Sequence, residues 1–173
     1  MKLADLKRYL TNKKLLLAEE ERKRHLHFQL VLEGGIVPLP TILCIQHGSG
    51  DANRNNLKGV AEALGLSLRE LETSMGCLLS RECVLVKLAW ALLGWAQSRF
   101  EDYLVSQDSK RGYLAMIVSA RLIVEHVKRQ DALRWSATEK KALHGILNDI
   151  PGFNCHLPEA KTLLIEFSRI ING

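Results

Sequence analysis

Residues able to do chemistry are few in this 173-residue sequence. His47 stands beside the turn Gly48-Ser49-Gly50-Asp51 and is the most tempting general base, with Asp51 its nearest acid. No nucleophile accompanies them, so the pair reads as a loop histidine and a helix-capping aspartate. The same glycine turn is too short to cradle a phosphate and is not followed by the required lysine. His25 and His27 lie two apart on an expected helix and so point in different directions. Cys155 and His156 are adjacent and lack two further ligands at a zinc spacing. The remaining cysteines, Cys44, Cys77 and Cys83, form no CxxC pair and read as small apolar fillers. No catalytic residue, metal or cofactor is expected.

Basic side chains offer other chemistry. The formal charge is +5 and the pI about 9.1. The charge is concentrated: residues 1–25 carry eight Lys or Arg against four acids, and residues 110–141 carry eight against three. The rest of the chain is net acidic. Lys13, Lys14, Arg22, Lys23 and Arg24 in the first block, and Lys110, Arg111, Arg121, Lys128 and Arg129 in the second, could contact phosphates if the fold joins them. The alternative for the run EEERKR is a solvated helix face with its own ion pairs. Arg134 beside Trp135 could stack on a base, or Trp135 could simply pack.

One window carries a motif. In residues 57–76, LKGVAEALGLSLRELETSMG, Ala61 is small where a second helix would cross and Gly65 tolerates a left-handed turn. Val60, Leu64, Leu66 and Leu71 supply apolar contacts, and Ser67 is placed to cap the next helix. The window resembles helix-turn-helix DNA-binding domains over some 20 residues and no specific family. That resemblance implies base and phosphate contacts from Lys58, Ser67, Arg69 and Thr73. Two features depart from it. Glu62, Glu70 and Glu72 outnumber Lys58 and Arg69, and Thr73 and Ser74 stand where an apolar residue would face the core. Two ordinary bundle helices joined by a glycine C-cap and a serine N-cap fit the same pattern.

The elements that must position these residues read as helical. Leu3, Leu6 and Leu10 mark a short first helix, and Leu15, Leu16, Ala18, Leu26, Leu30 and Val31 suggest a second over residues 13–33, capped by Thr11 or Asn12 and ended by Gly34 and Gly35. Pro38 and Pro40 break the chain, and residues 42–46 read as one buried helical turn because no second β-rich segment exists to pair with them. Asp51 or Asn53 caps the helix that follows. Residues 81–104 are apolar nearly all round and belong at the centre of a bundle. Residues 107–112 read as a polar break before a helix over 113–128, with Met116, Ile117, Ala120, Ile123, Val124 and Val127 inward. Ser136 and Glu139 have capping-box spacing, and a last helix runs over 158–171.

The expected architecture is all-α: a single-domain multi-helix bundle of about eight helices with essentially no sheet. Its parts are basic N-terminal helices (1–33), the helix-turn-helix window (53–80) and a helical core (81–173). Composition, with 47% hydrophobic and 25% charged residues, fits a globular protein. No secretory signal or membrane-length apolar run is apparent, so a reducing cytoplasm and no membrane partner are expected. The expected function is non-enzymatic. The leading expectation is a DNA- or RNA-associated regulator or accessory protein. The alternatives are a protein-interaction adaptor or chaperone-like accessory protein, a homodimer included, and a helical ribonucleoprotein subunit.

Overall fold

The computed structural model describes residues 2–11, 17–22, 25–32, 35–37, 43–46, 50–76, 79–98 and 107–129, and the single positions Lys141, Thr162, Ile165, Glu166 and Arg169. Most described residues are helical: α1 (Leu3–Thr11), α2 (Arg54–Ala63), α3 (Leu68–Met75), α4 (Arg81–Ser98) and α5 (Gln107–Arg129). A small antiparallel sheet accompanies them, built from β1 (Leu17–Arg22), β2 (His25–Leu32), β3 (Gly35–Val37) and β4 (Leu43–Gln46).

The sheet corrects the expectation of a helix over residues 13–33, and with it the assignment of residues 1–33 to helices. In β2 the apolar residues alternate strictly, and Leu26, Phe28, Leu30 and Leu32 all face inward. A helix would scatter those four around its circumference. Once β2 is a strand, residues 43–46 have a ladder to join, which removes the reason for reading them as a helical turn. β4 pairs antiparallel with β2, buries Leu43 and Ile45, and exposes Cys44 and Gln46. β1 pairs along one side of β2, matching Leu17 with Leu30 and Arg22 with His25. Leu30 also matches Val37 of β3, and Leu26 matches both Glu21 of β1 and Ile45 of β4. A residue has one neighbour per side, so β3 and β4 lie end to end on the side opposite β1.

The helices follow their periodicity more closely. α1 buries Leu3, Leu6, Tyr9 and Leu10. Thr11 does not cap a following helix; its hydroxyl donates back to the Lys7 carbonyl at 2.9 Å. α4 is buried on every side from Cys83 to Trp90, as expected of a central helix. α5 lies along it and also touches β2. The six positions expected inward on α5 are all buried, and Tyr113, Ser119 and His126 join them. The break expected at 107–112 is instead the first part of α5. Arg81 Nη2 meets His126 Nε2 at 3.1 Å. A guanidinium only donates, so Nε2 accepts and the imidazole carries its proton on Nδ1.

Buried side chains from α1, the sheet and all four later helices form one apolar cluster running from Leu3 to Val127. No described helix is long and apolar enough to cross a membrane. Of the helix expected to begin at Ser136 only Lys141 is described, and of that over 158–171 only Thr162, Ile165, Glu166 and Arg169, each in helical conformation; the end of the central helix after Ser98, and His47, Trp135, Cys155 and His156, lie outside the described residues.

Candidate nucleic-acid interface

The window singled out by sequence folds as helix, turn and helix. Asn53, rather than Asp51, caps α2: its Oδ1 accepts from the Asn56 N–H at 2.7 Å. Asp51 instead forms an isolated antiparallel bridge with Lys2. At the other end of α2, the Gly65 N–H donates to the Glu62 carbonyl at 3.0 Å and the Leu66 N–H to the Ala61 carbonyl at 2.8 Å. This pair of bonds is a Schellman motif, which places Gly65 at the left-handed position, with φ of 66°. Gly65 also presses on α4, where a Cβ would lie 2.5 Å from that of Ala91 and 3.2 Å from the Lys87 carbonyl oxygen.

α3 opens on a capping box. The Glu70 N–H donates to Ser67 Oγ at 3.2 Å, and the Ser67 N–H donates back to Glu70 Oε2 at 2.8 Å. Glu70 has a second partner in Lys87 of α4, whose side chain is 6% exposed and whose ammonium donates to the other carboxylate oxygen. Burial opposes ionisation of Glu70 and is the largest single influence on it. The Lys87 hydrogen bond and charge, with the Ser67 N–H and hydroxyl, together outweigh burial and hold the carboxyl below the usual glutamate range. Glu70 therefore faces an internal cation, and only Glu62 and Glu72 remain as exposed carboxylates of the pair. Lys58 offsets the first of these at 3.7 Å across one helical turn.

The polar residue where the motif resemblance asks for an apolar one also has a physical account. Ser74 is buried, and its hydroxyl shares a 2.5 Å hydrogen bond with Tyr9 of α1. Burial pushes the Tyr9 phenol above its ordinary ionisation range, while the Ser74 bond acts in the opposite sense. The neutral phenol's contribution to stability is accordingly intact below the unfolded value near 10 and is lost as pH rises through the higher folded value. Tyr9→Phe should cost about 1–2 kcal/mol in urea unfolding, because it strands the Ser74 hydroxyl. A second change, Ser74→Ala, should recover part of that loss.

The inner side of α3 is thus fixed by Leu71, Ser74 and Glu70, and Arg69 and Glu72 point outward with Thr73 half-buried beside them. No family model, curated protein or solved structure matches the chain.

Of the other expected contact residues, Lys58, Ser67 and Arg69 are exposed on the helix pair. Thr73 donates its hydroxyl to the Arg69 carbonyl at 2.7 Å, leaving it only acceptor capacity for a ligand. Arg121, Lys128 and Arg129 share one exposed side of α5. Each is already engaged: Arg121 with Glu125 at 3.1 Å, Lys128 with Glu166 at 3.0 Å, and Arg129 with the Glu125 carbonyl at 3.2 Å. Arg22 falls on β1 and Lys110 and Arg111 on α5, described by backbone alone; Lys13, Lys14, Lys23 and Arg24 lie outside the described residues. Sequence reading missed Arg54, an exposed cation in the first turn of α2 that has no ion pair among the described residues. It also counted Glu70 among the carboxylates repelling phosphate, although the spacing Ser67-x-x-Glu70 already marks Glu70 as a capping residue.

Proposed function

We propose that the chain is a non-enzymatic, nucleic-acid-associated regulator or accessory protein in which α2, the Gly65 turn and α3 act as a helix-turn-helix on duplex DNA. The observation that carries this reading is the fixed inner side of α3, which leaves Arg69 and its neighbours on an outward face. Removal of the Glu70 charge into a pair with Lys87 adds support, since it lowers the repulsion a phosphate would meet. Arg54 and Arg69 are the cations best placed to meet phosphate or a guanine edge.

Binding to a duplex library, followed by fluorescence anisotropy across a salt series, tests the reading. Affinity should fall as salt rises. Arg69→Ala should relax sequence preference by about 1–3 kcal/mol at one position. Arg54→Ala should weaken all sequences alike and reduce the salt slope by about one. A protein that ignores duplex DNA at micromolar concentration, with no salt dependence, sinks the idea.

A protein-interaction adaptor is the second reading. It draws on Leu114 and Val118, which lie one turn apart on α5 and are 41% and 53% exposed. Purification with and without nuclease separates the two: an adaptor's stoichiometric complex survives the nuclease, and a nucleic-acid-bridged one does not.

A further inference from the structure

The strand conformation of residues 25–32 changes the standing of two histidines. On a helix, residues two apart diverge; on a strand they share a face, about 6.5–7 Å apart along the chain. The inward residues of β2 are Leu26, Phe28, Leu30 and Leu32, so His25 and His27 stand together on the outer face of the sheet. Their rings meet edge to face with centroids 6.5 Å apart. β4 brings a third donor. Cys44 is the register partner of His27, its thiol is free, and it is exposed. Directly opposed residues on one sheet face have Cβ atoms about 4.5–5.5 Å apart. Donor atoms around a tetrahedral zinc ion are about 3.5 Å apart, given bonds of about 2.0–2.3 Å. Rotation about χ1 and χ2 of outward side chains is the freedom that would have to close that difference.

We propose that the outer face of the sheet binds one zinc-class divalent ion through His25, His27 and Cys44. Two imidazoles and a thiolate are a donor set suited to a borderline-soft metal and poorly suited to magnesium or calcium. Among the described residues no three such side chains stand as a group able to hold a metal ion, so binding requires His25, His27 and Cys44 to change rotamer. The fourth position is open to water. The site is on the sheet rather than on the helix pair, and it stands or falls independently of DNA binding.

Cobalt(II) titration of the reduced 173-residue protein provides the test. One equivalent should bind, giving a thiolate-to-cobalt charge-transfer band and the intense visible absorption of a tetrahedral centre, and zinc should displace it. Cys44→Ser should abolish the charge-transfer band. His25→Gln and His27→Gln should each weaken cobalt binding at least about tenfold. These positions face outward, so metal-free circular dichroism and the unfolding midpoint should match those of the unmodified chain and show that each variant folds. A charge-transfer band that survives Cys44→Ser puts the metal on another thiol and overturns the proposal. Cobalt affinity unchanged in His27→Gln does the same.

Discussion

Gly65→Ala is expected to destabilise the protein by about 3–5 kcal/mol in urea unfolding, the larger of the effects that can be read from the helix pair. Two causes add. Gly65 has φ of 66°, where an L side chain is strained by about 1–2 kcal/mol. Its new methyl group would also start 2.5 Å from Ala91 Cβ, and the nearby Lys87 carbonyl at 3.2 Å blocks a retreat. Both neighbours belong to the middle of the buried helix α4, so relief requires α2 and α4 to separate. Gly59 is the internal control. It lies within α2, is exposed, and has nothing within 4 Å of an added Cβ. Gly59→Ala should therefore stabilise by about 0.5–1 kcal/mol through helix propensity alone. If both substitutions move the midpoint in the same direction, the close approach of the turn to α4 is wrong.

Glu70→Gln is expected to cost about 2–3 kcal/mol, because it leaves the Lys87 ammonium buried without an anion. The figure lies below that for a fully enclosed pair, since the Glu70 side chain is 33% exposed and water screens part of the interaction. Gln retains one acceptor oxygen for the capping box, but its NH2 group then faces Lys87, so the change removes both the charge and the acceptor that Lys87 uses. Lys87→Met should cost about 1 kcal/mol or less, as a thioether suits the apolar surroundings and Glu70 still reaches water and Ser67. The double variant should then be more stable than Glu70→Gln alone. A pH series provides a second readout. The folded-state value of Glu70 is depressed, so its contribution is complete above the ordinary glutamate value and is lost as pH falls through the lower folded one. Glu70→Gln should remove that acid-side component of the stability curve. An unchanged acid limb, with no excess cost over Lys87→Met, removes the pair from the account of stability.

Periodicity is informative where one period dominates. Leu3, Leu6 and Leu10 can be read only as a helix face, and the apolar run of α4 is too long for a strand. The segment HLHFQLVL supports two readings, because Leu26 and Leu30 fit a helix spacing while Leu26, Phe28, Leu30 and Leu32 fit a strand. A helix over residues 13–33 leaves residues 43–46 without a pairing partner, whereas β2 supplies one. The same distinction governs the chemistry, since the face shared by His25 and His27 exists only on a strand. In the helix pair, Ala61, Gly65 and Ser67 are local features and were legible. The Lys87 to Glu70 and Tyr9 to Ser74 contacts span 17 and 65 positions, and side chains so distant are paired only by packing. That is why Ser74 looked like a departure from the motif and Glu70 like a repelling charge.

Among the described residues β1 pairs with β2 alone, and it reads Leu17-Ala18-Glu19-Glu20-Glu21-Arg22. Exposed strand edges invite pairing with another molecule, and a concentration of charge on the edge is a common defence. A second copy docking along β1 would bring its own three glutamates against these, so like charge opposes growth of the sheet from chain to chain. On the far side of β2 the edge is divided between two short strands, β3 and β4, which gives an incoming strand no long continuous template. Replacing the acidic run is therefore expected to show first as aggregation during refolding rather than as a lower melting point.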